Sequence, residues 1–176
     1  GDYYDYFTGS DGTLTIAIGD ATGHGVKAGT MVAATKSLLA AMVQVQDDKT
    51  IGSASDVLKP TSPILKRMNL RSMFMALMVA RIKTDADGVK VLIANAGMPS
   101  ALVYRAGHGL VEEVLMKSMP LGTMANFPYE EREITLVRGD ALILMSDGFP
   151  ERFNNDDDIL GYDVAQAACA SVGGMT

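Results

Sequence analysis

Three aspartates are the residues of this chain best placed to do chemistry: Asp2 in Gly1-Asp2-Tyr3-Tyr4-Asp5, Asp20 in Gly19-Asp20-Ala21-Thr22-Gly23-His24-Gly25, and Asp147 in Ser146-Asp147-Gly148. Each adjoins an alternating or apolar run that reads as a strand, namely Tyr3 to Phe7, Thr13 to Ile18 and Ala141 to Met145. Carboxylates gathered at one end of a sheet repel one another unless hard cations lie between them, and Mg²⁺ or Mn²⁺ takes oxygen ligands of this kind. The glycines after Asp20 would also let backbone approach a phosphate closely. A nucleotide site built on Gly23-His24-Gly25 nevertheless lacks the Lys and Ser/Thr of a P-loop.

Further landmarks follow in order: Asn95-Ala96-Gly97-Met98-Pro99, then Leu102-Val103-Tyr104, Pro120-Leu121-Gly122 and Ser146-Asp147-Gly148-Phe149-Pro150-Glu151. Together with GDYYD and GDATGHG they resemble the PPM-type metal-dependent serine/threonine protein phosphatases, in their SpoIIE and RsbU-like bacterial branch. The resemblance covers most of the chain. It implies an α-β-β-α sandwich, two Mn²⁺ or Mg²⁺ ions held by Asp2, Asp20 and Asp147, Asp20 as the bridging and catalytically central ligand, and the Ala21 carbonyl as an added donor. It further implies hydrolysis of phosphoserine or phosphothreonine by a hydroxide generated between the ions, without a phosphoenzyme. The expected partner is a phosphorylated regulatory protein, an anti-sigma-factor antagonist, with upstream sensor domains controlling activity. The competing reading is a catalytically silent phosphoprotein-binding or signalling module on the same fold.

Two departures from the family pattern bear on function. No Arg precedes Arg67, so substrate phosphate has no arginine partner near the first motif. The chain also stops at Ser171-Val172-Gly173-Gly174-Met175-Thr176 without a further acidic pair and strand. A domain truncated at both ends, with one ion under-coordinated, is therefore expected. An open sheet edge would invite pairing into a homodimer.

The elements that must position the aspartates follow from periodicity. Thr8-Gly9-Ser10-Asp11-Gly12 turns the first strand into the second, and that hairpin brings Asp2 and Asp20 to the same end. Met31, Ala34, Leu38, Met42 and Val45 recur at helical spacing over about Val26 to Val45. Gln44 to Pro63 reads as a polar connection with room for a short helix, Ile64 to Asn69 as a helical stretch, and Ser72 to Ile82 as a long strand. Val89 to Ala94, Leu102 to Tyr104, Leu110 to Val114 and Tyr129 to Leu136 follow as shorter strands. A last helix begins near Val164. Hairpin-joined strands with covering helices predict an α+β fold of two packed antiparallel sheets.

Length and composition narrow the rest. At 176 residues, with 48% hydrophobic and 20% charged residues, one domain of residues 1–176 with a substantial core is expected. The net charge of −6 argues against a nucleic-acid partner. No apolar stretch of span length is free of charge or Gly/Pro interruption, so no membrane span is expected. A single cysteine, Cys169, reads as a buried helix residue and fits a reducing, cytoplasmic setting. His24 and His108 read as turn residues, too few for a zinc site. Asp5 shares a strand face with Tyr3 and is the weaker site candidate. Asp85, Asp87, Asp140 and the run Asn154 to Asp158 read as turns; the run lacks the spacing of a calcium-binding EF-hand loop.

Overall fold

A computed structural model describes residues 1–45, 52–70, 72–86, 88–153 and 158–173. Asp87 and most of the acidic run, residues 154–157, lie outside the described residues. The chain divides into two compact units, residues 1–98 with 116–135, and residues 99–115 with 136–176.

In the first unit, β1 (Asp2–Thr8) and β2 (Leu14–Ala21) form the expected hairpin, running from Asp2 opposite Asp20 to Thr8 opposite Leu14. Its turn is closed by Asp11, whose carboxylate accepts bonds from the Thr13 N–H (2.9 Å), the Thr13 hydroxyl (2.6 Å) and Lys83 Nζ (2.7 Å). β3 (Met75–Asp85) pairs with β2, β4 (Gly88–Ala96) pairs with β3, and β7 (Arg132–Leu136) completes the order β1-β2-β3-β4-β7. β3 starts at Met75 rather than at Ser72, because Ser72 holds a left-handed φ of 60° that an extended ladder excludes.

α1 (Val26–Val45) has the predicted bounds, and α2 (Ser55–Arg67) follows it. Alternation explains which strand face they cover: Tyr3, Ala17, Ala21, Met75, Leu77, Val79, Ala94 and Ala96 form one cluster with Met31 and Leu39 of α1 and Val57, Leu58 and Leu65 of α2. By length and composition alone the window Val26–Val43, at mean hydropathy 1.3, could cross a membrane. Its buried Ala28, Met31 and Leu39 instead belong to this cluster.

α2 joins the short helix allowed for within Gln44 to Pro63 to the helical stretch read from Ile64, since it starts at Ser55, carries Pro60 and Pro63 within it and runs to Arg67. Each proline removes an internal helix bond. Burial of Val57, Leu58, Thr61, Ser62 and Leu65 outweighs that loss, and the helix start is capped from far along the chain by Glu131. The Glu131 Oε2 accepts bonds from the Ser53 hydroxyl (2.8 Å), the Ser55 N–H (3.2 Å) and the Ala54 N–H.

The second unit holds β5 (Ala101–Arg105), β6 (Leu110–Val114) and β8 (Ala141–Ile143) in the antiparallel order β6-β5-β8, with α3 (Tyr162–Gly173) packed on β5 and β6. β8 ends at Ile143, two residues short of the predicted strand, and its residues are half-buried rather than buried. Its last pair joins Ile143 to Leu102, one residue from the start of β5 at Ala101. Asp140 does more than turn the chain. Its carboxylate accepts bonds from Arg105 Nη1 (2.9 Å), the Ala106 N–H (3.0 Å) and the Val137 N–H (3.3 Å). Cys169 is buried in α3, as expected, and His108 lies in the β5–β6 turn. Among the described residues, two antiparallel sheets and three helices thus make a mixed α+β fold.

Candidate metal centre

The hairpin register makes Asp2 and Asp20 direct cross-strand partners. Directly opposed residues of an antiparallel pair project to one face, so the two carboxylates are neighbours at the sheet end. Asp2 is exposed, and the Asp20 side chain is 31% exposed. Like charges in this position are unfavourable without a cation between or beside them.

One carboxylate and two peptide oxygens converge there: Asp20 Oδ1, the Ala21 carbonyl and the Gly23 carbonyl lie 2.7, 2.6 and 3.1 Å from the Gly1 nitrogen. An all-oxygen donor set is what a hard divalent ion takes. Asp20, Ala21 and the partner carboxylate of Asp2 therefore fit Mg²⁺ or Mn²⁺. The loop beyond is anchored by Thr22, whose N–H and hydroxyl both donate to the Phe74 carbonyl at 3.0 and 3.3 Å.

The Gly23 carbonyl was not singled out from sequence. Its signal was the Gly-His-Gly spacing: Gly23 and Gly25 both adopt φ of 77°, a left-handed bend that a side chain rarely tolerates. His24 between them is exposed.

Asp5 lies outside this group. Strand alternation puts it with Tyr3 on the face opposite Asp2, where it accepts bonds from Lys36 Nζ of α1 at 2.8 Å and the Tyr3 hydroxyl at 3.3 Å. The Lys36 bond, aided by the Tyr6 N–H, holds the Asp5 carboxyl below its usual pKa, while burial and then the Asp5 charge push the Tyr3 hydroxyl up. The trio ties α1 to the hairpin.

Asp147 belongs to the second unit, half-buried in a turn rather than at a strand end. Its carbonyl accepts the Glu151 N–H at 2.8 Å, and that of Ser146 accepts the Phe149 N–H at 3.4 Å. Among the described residues, no group of three His, Cys, Asp or Glu side chains is gathered as for a metal ion.

The remaining landmarks hold one another in place. Asn95, nearly fully buried, accepts the Met98 N–H at 2.8 Å and donates to the Met98 carbonyl at 2.9 Å, closing the turn that contains Gly97. Gly97 has φ of 85°, and a Cβ there would lie 2.6 Å from Pro120 Cγ. Leu121 then exchanges backbone bonds of 2.8 and 3.1 Å with Met75 at the head of β3. Asn95-Ala96-Gly97 and Pro120-Leu121-Gly122, distant in sequence, are thus one packed feature.

The family model for Stage II sporulation protein E (SpoIIE) matches residues 10–175. The chain belongs to the SpoIIE family. Phosphoserine phosphatase RsbU of Bacillus subtilis (strain 168) is 26% identical over 151 residues, which are 86% of this chain and 43% of RsbU. The chain therefore spans less than half the length of that relative. Among solved structures, the RsbU and RsbW domains of Rv1364c from Mycobacterium tuberculosis superpose with a TM-score of 0.77 at 22% identity, over 98% of this chain and 46% of that one. The SiaA-PP2C domain of Pseudomonas aeruginosa also gives 0.77, at 20% identity, over 98% of this chain and 65% of its own. The fold of this SpoIIE-family chain is thus that of PP2C-type phosphatase domains.

Proposed function

We propose that this chain is the phosphatase domain of a metal-dependent protein serine/threonine phosphatase that acts in the cytoplasm on a phosphorylated regulatory protein, an anti-sigma-factor antagonist. The observation that carries the reading is the pairing of Asp2 with Asp20 beside the Ala21 carbonyl, in a SpoIIE-family chain related to a phosphoserine phosphatase. Asp2, Asp20, the Ala21 carbonyl and Asp147 would hold two Mn²⁺ or Mg²⁺ ions, with Asp20 bridging them. When bound, such ions activate water near neutral pH and offset charge on a transferring phosphoryl group. The chain's own part is to fix the oxygen donors: the β1–β2 register sets Asp2 against Asp20, and the Thr22–Phe74 bonds hold the loop that carries the peptide oxygens. No arginine lies within this hairpin itself.

The test is hydrolysis of p-nitrophenyl phosphate and of phosphoserine peptides by the full-length protein with Mn²⁺, with Mg²⁺ and with chelator. Turnover restored by metal after chelation supports the reading. Peptide binding without turnover at saturating metal would replace it with the silent binding module.

A further inference from the structure

A cleft of ≈ 70 Å³ lies within the second unit, between the β5–β6 hairpin and the start of α3. Leu102, almost fully buried, and Met145 form its apolar floor, while Glu113, Tyr162, Asp163 and Gln166 stand around them. The arrangement follows from local geometry. Leu102 and Glu113 are cross-strand partners and share a face. Gln166 comes four residues after Tyr162 and three after Asp163, so its side chain neighbours both on the first turns of α3. Two carboxylates enter the lining and no Lys, Arg or His does. Among the described residues, neither Glu113 nor Asp163 belongs to an ion pair. Met145 is also two residues from Asp147. Burial, and then the charges of Glu151 and Asp147, raise the Tyr162 hydroxyl's pKa, so the cleft lies within electrostatic range of the Asp147 turn.

We propose that this cleft is a specificity subsite that takes a lysine or arginine side chain of the phosphoprotein substrate. An apolar floor under an anionic rim suits a side chain with a methylene stem and a cationic head, because the stem is removed from water while the head stays near charge and solvent. The inference rests on the phosphatase reading and adds the substrate feature selected next to Asp147: a basic residue flanking the phosphorylated Ser or Thr.

The experiment compares phosphoserine peptides carrying lysine at each flanking position in turn with their glutamine counterparts, using the full-length protein and its Glu113→Gln/Asp163→Asn variant. At one flanking position the wild type should favour lysine, and the double variant should raise KM for that peptide about tenfold, the loss of two partly solvated ion pairs. Turnover of p-nitrophenyl phosphate and KM for the glutamine peptide should stay unchanged. Absence of a lysine preference, or equal KM changes for both peptides, overturns the subsite. Absence of metal-dependent turnover of p-nitrophenyl phosphate overturns the phosphatase reading instead. In that event binding of the same two peptides, fluorescein-labelled, decides the cleft: a lysine preference lost in the double variant supports it, and equal binding refutes it.

Discussion

Asp2 and Asp20 stand directly opposite each other at the end of the β1–β2 ladder, two like charges in a position where only a cation makes both favourable. Asp20→Asn should therefore weaken Mn²⁺ binding and cut metal-dependent phosphatase turnover by about 100-fold or more, the loss of a ligand shared by two ions. Far-ultraviolet circular dichroism should be unchanged. Calorimetric Mn²⁺ titration together with kinetics checks this, and near-normal turnover at saturating metal would remove Asp20 from the bridging position.

Asp140 predicts a pH dependence of stability. Burial opposes its ionisation, but the bonds from Arg105, Ala106 and Val137 outweigh burial and hold its pKa below the ordinary carboxylate value. A folded pKa below the unfolded one adds stability above the unfolded pKa, and that stability is lost as pH falls through the folded pKa. Asp140→Asn should cost about 2 kcal/mol at neutral pH. The gap from wild type should narrow as pH drops from about 5 toward 2, which urea unfolding across that range would show.

Glu131 caps α2 across more than seventy residues of sequence. Glu131→Ala should destabilise by about 1–2 kcal/mol, because it strands buried N–H donors at the helix start. Amide exchange of Ala54 and Ser55 should accelerate relative to that of Leu77 and Val79. Unchanged protection at Ala54 and Ser55 would refute the cap.

Gly97 fits beneath Pro120 in a left-handed turn. Gly97→Ala adds both an unfavourable φ and a clash, and should cost about 2 kcal/mol or more. A thermal midpoint within experimental error of wild type would show that the turn relaxes freely.

The sequence by itself determined what local periodicity encodes. Alternation over Tyr3 to Phe7 and Thr13 to Ile18 with a five-residue turn sufficed to bring Asp2 and Asp20 to the same end of the hairpin, and the structure sets them directly opposite. Helical spacing set α1 to its observed bounds, and the same alternation already separated Asp5 from Tyr4's face. Only the tertiary structure decided α2. Its two prolines signal a connection, and the burial and the Glu131 carboxylate that override them come from residues remote in sequence. The end of β8 at Ile143 was likewise not legible in the apolar run Ala141 to Met145, and it leaves Asp147 in a turn. The assignment of Asp5 to Lys36, the stacking of Gly97 on Pro120, and the cleft beside Tyr162 all join distant segments, and no local pattern carries the free energy of a contact that forms only when the chain has folded.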